Sequence, residues 1–371
     1  MIPYVEVRDK YTLKAIAPVE PQECWFELCY QDVGAFEVYC RASAANLALL
    51  QNGMYITIPN KPYIWVITAV RYTTKEDGAR MISATGFEAK WILQKRCILS
   101  QRELSGTITR ACYLLVNEAL GKVAYSPRAI IDNKGNYKFF VDTNNITDVS
   151  VAGTQAPRVN LLEFITKLLK EKDCGHIVTL KGETLLYTIY KGVDRSQSII
   201  FGNSLDNLLS SEYLTDDAQK ATYALVVSTF DETTTVNGVE YKKKVDYIQY
   251  HDNGNTGIDR AEIVIESNIS TKYEDANGEE KETTPNSALY EGWQRAEAKA
   301  SLAERKTVEE IGAEIDITNT RYVFGEHFFL GDTVGAVDEY FKFIATPQIS
   351  KYTFKQDANG YGEEAEYGGK Q

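Results

Sequence analysis

The chain has 371 residues (41.7 kDa), with 52 acidic against 40 basic side chains and a net charge of −12. That balance argues against a protein built to grip nucleic acid through a basic footprint. With 44% hydrophobic and 25% charged residues the chain is globular rather than disordered, and no window approaches the roughly 18 uninterrupted apolar residues of a spanning helix.

Length allows two to four domains. Twenty-four Tyr, 14 Phe and 4 Trp, interleaved with Val, Ile and Thr, favour β structure. Met1 to Lys10 is charged and lacks the apolar core of a signal peptide. Residues 1–100 read as short strands separated by turns. Trp25–Tyr30 and Phe36–Cys40 flank Gln31-Asp32-Val33-Gly34-Ala35, a hairpin signal in which Gly34 is available for positive φ. Met54–Ile58 and Tyr63–Val70 follow around Pro59-Asn60-Lys61-Pro62, and Ala79–Phe87 follows Lys75-Glu76-Asp77-Gly78.

The pattern changes near residue 105. Ile108, Ala111, Cys112, Leu115 and Ala119 fall at helical spacing, with Gly121 as a stop. Asn160 caps a second helix with Glu163 three residues on; Leu161, Leu162, Ile165, Leu168 and Leu169 form its apolar face, and Gly175 ends it. Ile177–Leu180 and Leu185–Tyr190 then form a hairpin around Lys181-Gly182-Glu183, so residues 101–205 are a small α/β unit.

Strands return at Tyr223–Phe230, Val245–Tyr250 and Ala261–Ile265. Residues 271–286, including Asp275-Ala276-Asn277-Gly278, are polar and expected as a mobile loop. Leu289, Trp293, Ala296, Ala300 and Ala303 mark a helix over 287–305, with Glu297-Ala298-Lys299 and Glu304-Arg305-Lys306 on its solvated face. Ile311, Ala313, Ile315 and Ile317 alternate as a strand; further strands run from Gly331 to Phe354, and 356–371 is expected as a flexible tail. One echo is visible: Gly53-Met54-Tyr55-Ile56 precedes Ile67 by the same kind of interval that separates Gly331-Asp332-Thr333-Val334 from Lys342-Phe343-Ile344. Chance likeness among hairpins and two related barrels are both open readings.

The six cysteines (Cys24, Cys29, Cys40, Cys97, Cys112, Cys174) lack a CxxC pair and read as reduced thiols rather than a disulfide or metal framework. His176, His251 and His327 lie far apart, without a His or Cys at ligand spacing. Asp252–Asp259 carries Asp and Asn without the alternation or closing Glu of a calcium loop, so a turn is expected there. No phosphate loop or nucleophile elbow is present, and paired carboxylates carry little information among 52 acids. No catalytic, cofactor or metal residue is assigned.

Four strings carry a resemblance. They are the hairpin WFELCYQDVGAFEVYC, the helix-hairpin LLEFITKLLKEKDCGHIVTLKGETLLYTIYKG, Gly192-Val193-Asp194-Arg195-Ser196-Gln197-Ser198-Ile199-Ile200-Phe201-Gly202, and Phe328-Phe329-Leu330-Gly331-Asp332-Thr333-Val334; Gly257-Ile258-Asp259-Arg260-Ala261-Glu262 adds to them. In this order over about 300 residues they resemble the tail-hub (tail-associated or baseplate-hub) family of long-tailed bacteriophages, of the siphophage tail-tip type. The resemblance implies an α+β, β-rich fold: a tail-tube-like β-barrel over 1–100, a small α/β domain over 101–205, and a second barrel over 206–355. It further implies a homotrimeric ring of the virion tail, made in the host cytoplasm. The ring would cap the tube, adapt sixfold to threefold symmetry, touch tube or distal-tail proteins and a fibre or tip protein, and pass double-stranded DNA. It also implies that lysin or fibre functions reside on other proteins. Asp194, Arg195, Ser196, Asp259, Arg260, Gly331 and Asp332 are the motif residues, either fixing turns or making subunit contacts. The rival readings are a carbohydrate-binding β-module, with tyrosines as stacking platforms, and a tail-associated cell-wall hydrolase.

Overall fold

The computed structural model describes residues 2–125, 127–143, 149–237, 239–275, 278–315, 320–338 and 343–368. The first part contains β1 (Val5–Arg8), β2 (Ala15–Val19), β3 (Glu23–Cys29), β4 (Ala35–Arg41), helix α1 (Ala44–Leu49), β5 (Tyr55–Thr57), β6 (Ile64–Thr74) and β7 (Arg80–Glu88). Alternation along β3 and β4 buries Cys24, Phe26, Leu28, Phe36, Val38 and Cys40 on one face. The expected hairpin forms, with Trp25 opposite Glu37 and Phe26 opposite Phe36. Gly34 serves it differently from expectation. Its φ is not positive, but a Cβ there would lie 2.4 Å from the Glu27 carbonyl oxygen, so the position needs close backbone approach.

The middle contains β8 (Arg102–Leu104), α2 (Ile108–Leu120), β9 (Phe139–Val141), β10 (Thr154–Ala156), α3 (Leu161–Glu171), β11 (Gly175–Lys181) and β12 (Thr184–Tyr190). Thr107 caps α2 and Asn160 caps α3, each side chain accepting backbone N–H bonds. The stop after α3 is Asp173, at φ +49, rather than Gly175, which already belongs to β11. A Cβ on Gly175 would lie 2.1 Å from the Tyr30 ring. The two helices cover β11, β12 and β9, and bury Ile108, Cys112, Leu115, Leu161, Ile165 and Leu169 against Phe139, Leu185 and Tyr187.

The remaining elements are β13 (Ile200–Gly202), β14 (Leu208–Asp216), β15 (Tyr223–Val236), β16 (Val239–Asp252), β17 (Glu262–Glu266), β18 (Lys272–Glu274), β19 (Glu280–Glu282), α4 (Ala288–Glu304), β20 (Val308–Ile315), β21 (Gly335–Asp338), β22 (Phe343–Ala345), β23 (Gln348–Asp357) and β24 (Gly360–Gly368). Ile317 and Lys342 lie outside the described residues, as do Ala276 and Asn277.

The segment expected as a mobile loop contains the hairpin β18–β19, docked beside β8. The supposed flexible tail is strand as far as Gly368, because Ala365 and Tyr367 alternate into the core. Nor is the Glu297 stretch of α4 a solvated face. Ala298 is fully buried, and burial raises the Glu297 carboxyl while the Ser267 hydroxyl donates to it at 2.7 Å.

The molecule is mostly β, with a large sheet curled as a half-barrel. That sheet has 11 strands in the order β14-β20-β24-β23-β3-β4-β7-β6-β5-β1-β2. Its two strand groups, one from residues 1–88 and one from 208–368, meet where β23 pairs antiparallel with β3, placing Phe354 opposite Phe26. The core behind it stacks Phe324 on Tyr352 at 3.8 Å between ring centres and sets Phe328 and Phe201 edge to face. The echoed glycines share a local role: Gly53 (φ +88) donates its N–H to Ile67 and Gly331 (φ +84) to Ile349. Their following hairpins, β5–β6 and β21–β22, belong to different sheets.

A buried polar cluster joins the sheet to the middle unit. Lys90 Nζ lies 2.5 Å from Glu88 Oε1 and donates to the carbonyls of Cys29 (2.6 Å) and His176 (3.2 Å). Glu88 Oε2 accepts the Cys29 N–H at 3.1 Å. Burial pulls the Lys90 ammonium down toward about 7, while the adjoining carboxylate and two carbonyls favour its charged form. His176 is fully buried; Nε2 donates to the Gln31 carbonyl at 2.9 Å, which leaves Nδ1 to accept from the Tyr187 hydroxyl at 3.0 Å.

Burial first, then the charge of Lys90, hold the His176 pKa well below its usual 6.5. Above pH 6.5 the imidazole is neutral in both folded and unfolded chains, and its stabilising contribution is fully present. As pH falls below that value the unfolded chain takes up a proton that the folded chain refuses, so stability drops by up to about 1.4 kcal/mol per pH unit until the folded pKa is reached. Denaturant midpoints at pH 7.5 and 5 are expected to differ more in the native chain than in His176→Gln; equal slopes would refute the assignment.

Candidate functional site

Five of the seven motif residues come together where the chain leaving β12 meets the loop before β21. Asp332, 3% exposed, is the centre. Its Oδ1 accepts the Val193 N–H at 2.8 Å, and its Oδ2 accepts the Phe329 N–H at 3.0 Å and Arg195 Nε at 2.6 Å. The backbones lie parallel, with Arg195 N–H donating to the Thr333 carbonyl at 2.7 Å and Thr333 N–H to the Val193 carbonyl at 3.0 Å. Asp194 folds back to accept the Ser196 N–H at 3.0 Å, and Ser198 and Ile199 donate to the Arg195 carbonyl. Charge-assisted bonds of this kind contribute about 1.5–3 kcal/mol each.

Tyr30 completes the junction. Its hydroxyl accepts the Gly192 N–H at 3.2 Å and donates to the Asp173 carbonyl at 3.2 Å, and burial pushes its pKa well above the usual range. Gly331 packs against the ring of Tyr30, where an added Cβ would be 2.2 Å away, and its carbonyl accepts Gln348 Nε2 at 3.0 Å. A Cβ on Gly192 would be 1.6 Å from the Gly331 carbonyl oxygen. The junction thus clamps the β3–β4 hairpin, the middle unit and the C-terminal strands into one body.

Asp259 and Arg260 lie elsewhere. They end a 3-10 turn (Gly257–Asp259) beside β17, where Arg260 bonds Asp252 at 2.9 Å and Glu262 at 2.5 Å and stacks 4.3 Å from the Tyr223 ring centre. The Arg260 hydrogen bond holds the Asp252 carboxyl below its ordinary value. The two Asp-Arg pairs therefore sit at two separate places in the fold. Asp252 closes its own loop by accepting the Gly254 N–H at 2.8 Å, and among the described residues no three His, Cys, Asp or Glu gather as a metal set. The six cysteines are free thiols, and Cys97 alone of them is exposed.

Sequence reasoning missed Tyr30, Asp173 and Gly192 as partners, along with the Glu88–Lys90 pair. Gly192 opened the strongest motif, which was its one legible signal; nothing local distinguishes Lys90 from a surface lysine.

This two-group curled sheet with an inserted α/β unit is the fold of phage tail proteins. It is similar to the tail protein from Neisseria meningitidis MC58, at 11% identity and a TM-score of 0.56 over 98% of this chain and 96% of that one. It is also similar to the 43 kDa tail protein of prophage MuSo2 from Shewanella oneidensis, at 13% identity and a TM-score of 0.53 over 98% of each chain. The chain belongs to the Siphovirus ReqiPepy6 Gp37-like protein family, whose model matches residues 5–368. Family and fold make it a siphovirus-type phage tail protein, a component of the virion tail. No curated protein matches the chain.

Proposed function

We propose that this protein is the tail-tip or baseplate hub, a homotrimer that caps the tail tube, adapts its sixfold symmetry to a threefold tip and forms part of the DNA conduit. The observation that carries this reading is the large sheet, in which two strand groups from opposite ends of the chain lie side by side across the β3–β23 pair. On this reading the groups are parts of two barrel units, over 1–100 and 206–355, with 101–205 as the α/β insertion. Two units per chain and three chains give six positions around a ring, which then docks on tube or distal-tail proteins above and a fibre or tip protein below.

The sheet face turned away from the core supports the conduit. On β3, β4, β23 and β24, strand alternation sets Glu23, Glu27, Glu37, Glu364 and Glu366 on that face against Arg41, Lys351 and Lys355. Lys351 is held by Glu366 (2.6 Å) and Glu27 (3.3 Å), and Lys355 by Glu364, which leaves these lysines little to offer a phosphate. An acidic wall repels duplex DNA weakly, and salt screens that repulsion within about 10 Å.

Cryo-microscopy of tails is expected to show three copies at the tip with this face inward. A different copy number would overturn the hub, and tight, salt-sensitive duplex binding by the purified protein would overturn the conduit. No observation favours the carbohydrate module: of the exposed tyrosines Tyr4, Tyr11, Tyr72, Tyr125, Tyr241 and Tyr250, two share an element, Tyr241 and Tyr250, nine residues apart on β16. A hydrolase reading has no residue assignment to support it.

A further inference from the structure

Among the outer strand edges of the described residues, two differ in charge. β16 is the outer strand of its three-stranded sheet and β14 an outer strand of the large sheet; neither has a second partner strand among the described residues. The β15–β16 hairpin also outruns its support. β17 pairs with β15 only over Tyr223–Val227, and α4 covers the same end through Gln294, which bonds Ser228 and the Tyr247 carbonyl. Beyond that cover, residues 231–235 and 239–244 are exposed on both faces. Six residues of strand extend about 20 Å, and a lone two-stranded ribbon is marginal in water.

This ribbon carries its charge unevenly. Lys244 faces Asp231 and Lys243 faces Glu232 across the strands, while Lys242 faces Thr233, so the basic run Lys242-Lys243-Lys244 belongs to the open strand β16. Val239 and Tyr241, 53% and 56% exposed, lie on the same strand. On β14 the exposed side chains include Glu212, Asp216 and the apolar Leu214. An exposed edge with apolar side chains and little protection is one that proteins ordinarily cover.

We propose that the β16 edge of one copy adds to the β14 edge of the next copy, with Lys242 and Lys244 on the same face of the seam as Glu212, Leu214 and Asp216. The contact is head to tail, using a different surface on each copy, and such a contact closes into a ring when its rotation permits. Main-chain bonds supply the adhesion and the opposed charges fix direction and register. Chains of net charge −12 repel one another at a distance, which makes a basic run confined to one edge an orienting device. This inference rests on the ring reading above.

The test is assembly of the full chain by native mass measurement and light scattering in moderate salt. The triple variant Lys242→Glu, Lys243→Glu, Lys244→Glu is expected to weaken ring formation by about tenfold or more, since like charges then meet across the seam. Adding Glu212→Lys and Asp216→Lys to the same chain is expected to restore it; because Lys243→Glu and Lys244→Glu also face Glu232 and Asp231 within the ribbon, this rescue, which a loosened ribbon alone would not give, is the deciding readout. Assembly of the triple variant at native strength would overturn the inference, as would failure of the charge swap to rescue it. A native chain that never assembles would overturn it too, whereas three copies in purified tails would still uphold the hub.

Discussion

Single substitutions at Glu88 or Lys90 are expected to lower stability by about 3–5 kcal/mol each, among the largest effects any polar position here can produce. Both residues are at most 3% exposed, and each satisfies the other's charge at 2.5 Å. Lys90→Met leaves a carboxylate buried with only the Cys29 N–H to bond it; Glu88→Gln leaves an ammonium facing two carbonyls. The double variant Glu88→Leu, Lys90→Met removes both charges and is expected to recover most of the loss, because replacing a whole buried pair by apolar groups is often neutral. Urea unfolding of the four proteins checks this. Additive losses in the double variant would show that the two charges do not depend on each other.

Gly192→Ala is expected to cost about 3 kcal/mol or more. The new methyl would stand 1.6 Å from the Gly331 carbonyl oxygen, in a place where two backbones touch and neither can give way without breaking the Asp332 bonds to Val193 and Arg195. Gly331→Ala should be comparably severe, since its Cβ would meet the Tyr30 ring at 2.2 Å and its φ is +84. Gly182→Ala is the control: its φ is +63 but nothing lies within 4 Å, so only the left-handed backbone cost of about 1–2 kcal/mol applies. Denaturant midpoints that rank Gly182 with Gly192 would show that backbone conformation, not the clamp, governs these positions.

The two predictions mark where local reading stops. The hairpins β3–β4 and β11–β12 and the helices α2, α3 and α4 were legible because apolar periodicity, capping residues and turn glycines act within a few residues of each other. The motif around Gly192–Phe201 and the Leu-Gly-Asp string were visible as words, and they pointed to the family. Their partnership was not visible, because Arg195 and Asp332 are 137 residues apart. The tail hairpin and the β18–β19 hairpin were misread for a related reason. Glu- and Gly-rich stretches look like solvent-facing chain until a neighbouring strand gives them a face to bury, as β20 and β23 do for Ala365 and Tyr367.

By itself the sequence determined most of the strands and helices, the apolar faces of the strongly periodic ones, and which family the chain resembles. Only the tertiary structure decided that β23 pairs with β3 across more than 300 residues, that Lys90 is interior, and that Gly192 and Gly331 meet. Periodicity records that a face must leave water, but it holds no record of what will cover it. Partner choice depends on the shape and hydrogen-bonding fit of surfaces that exist only once both sides have folded.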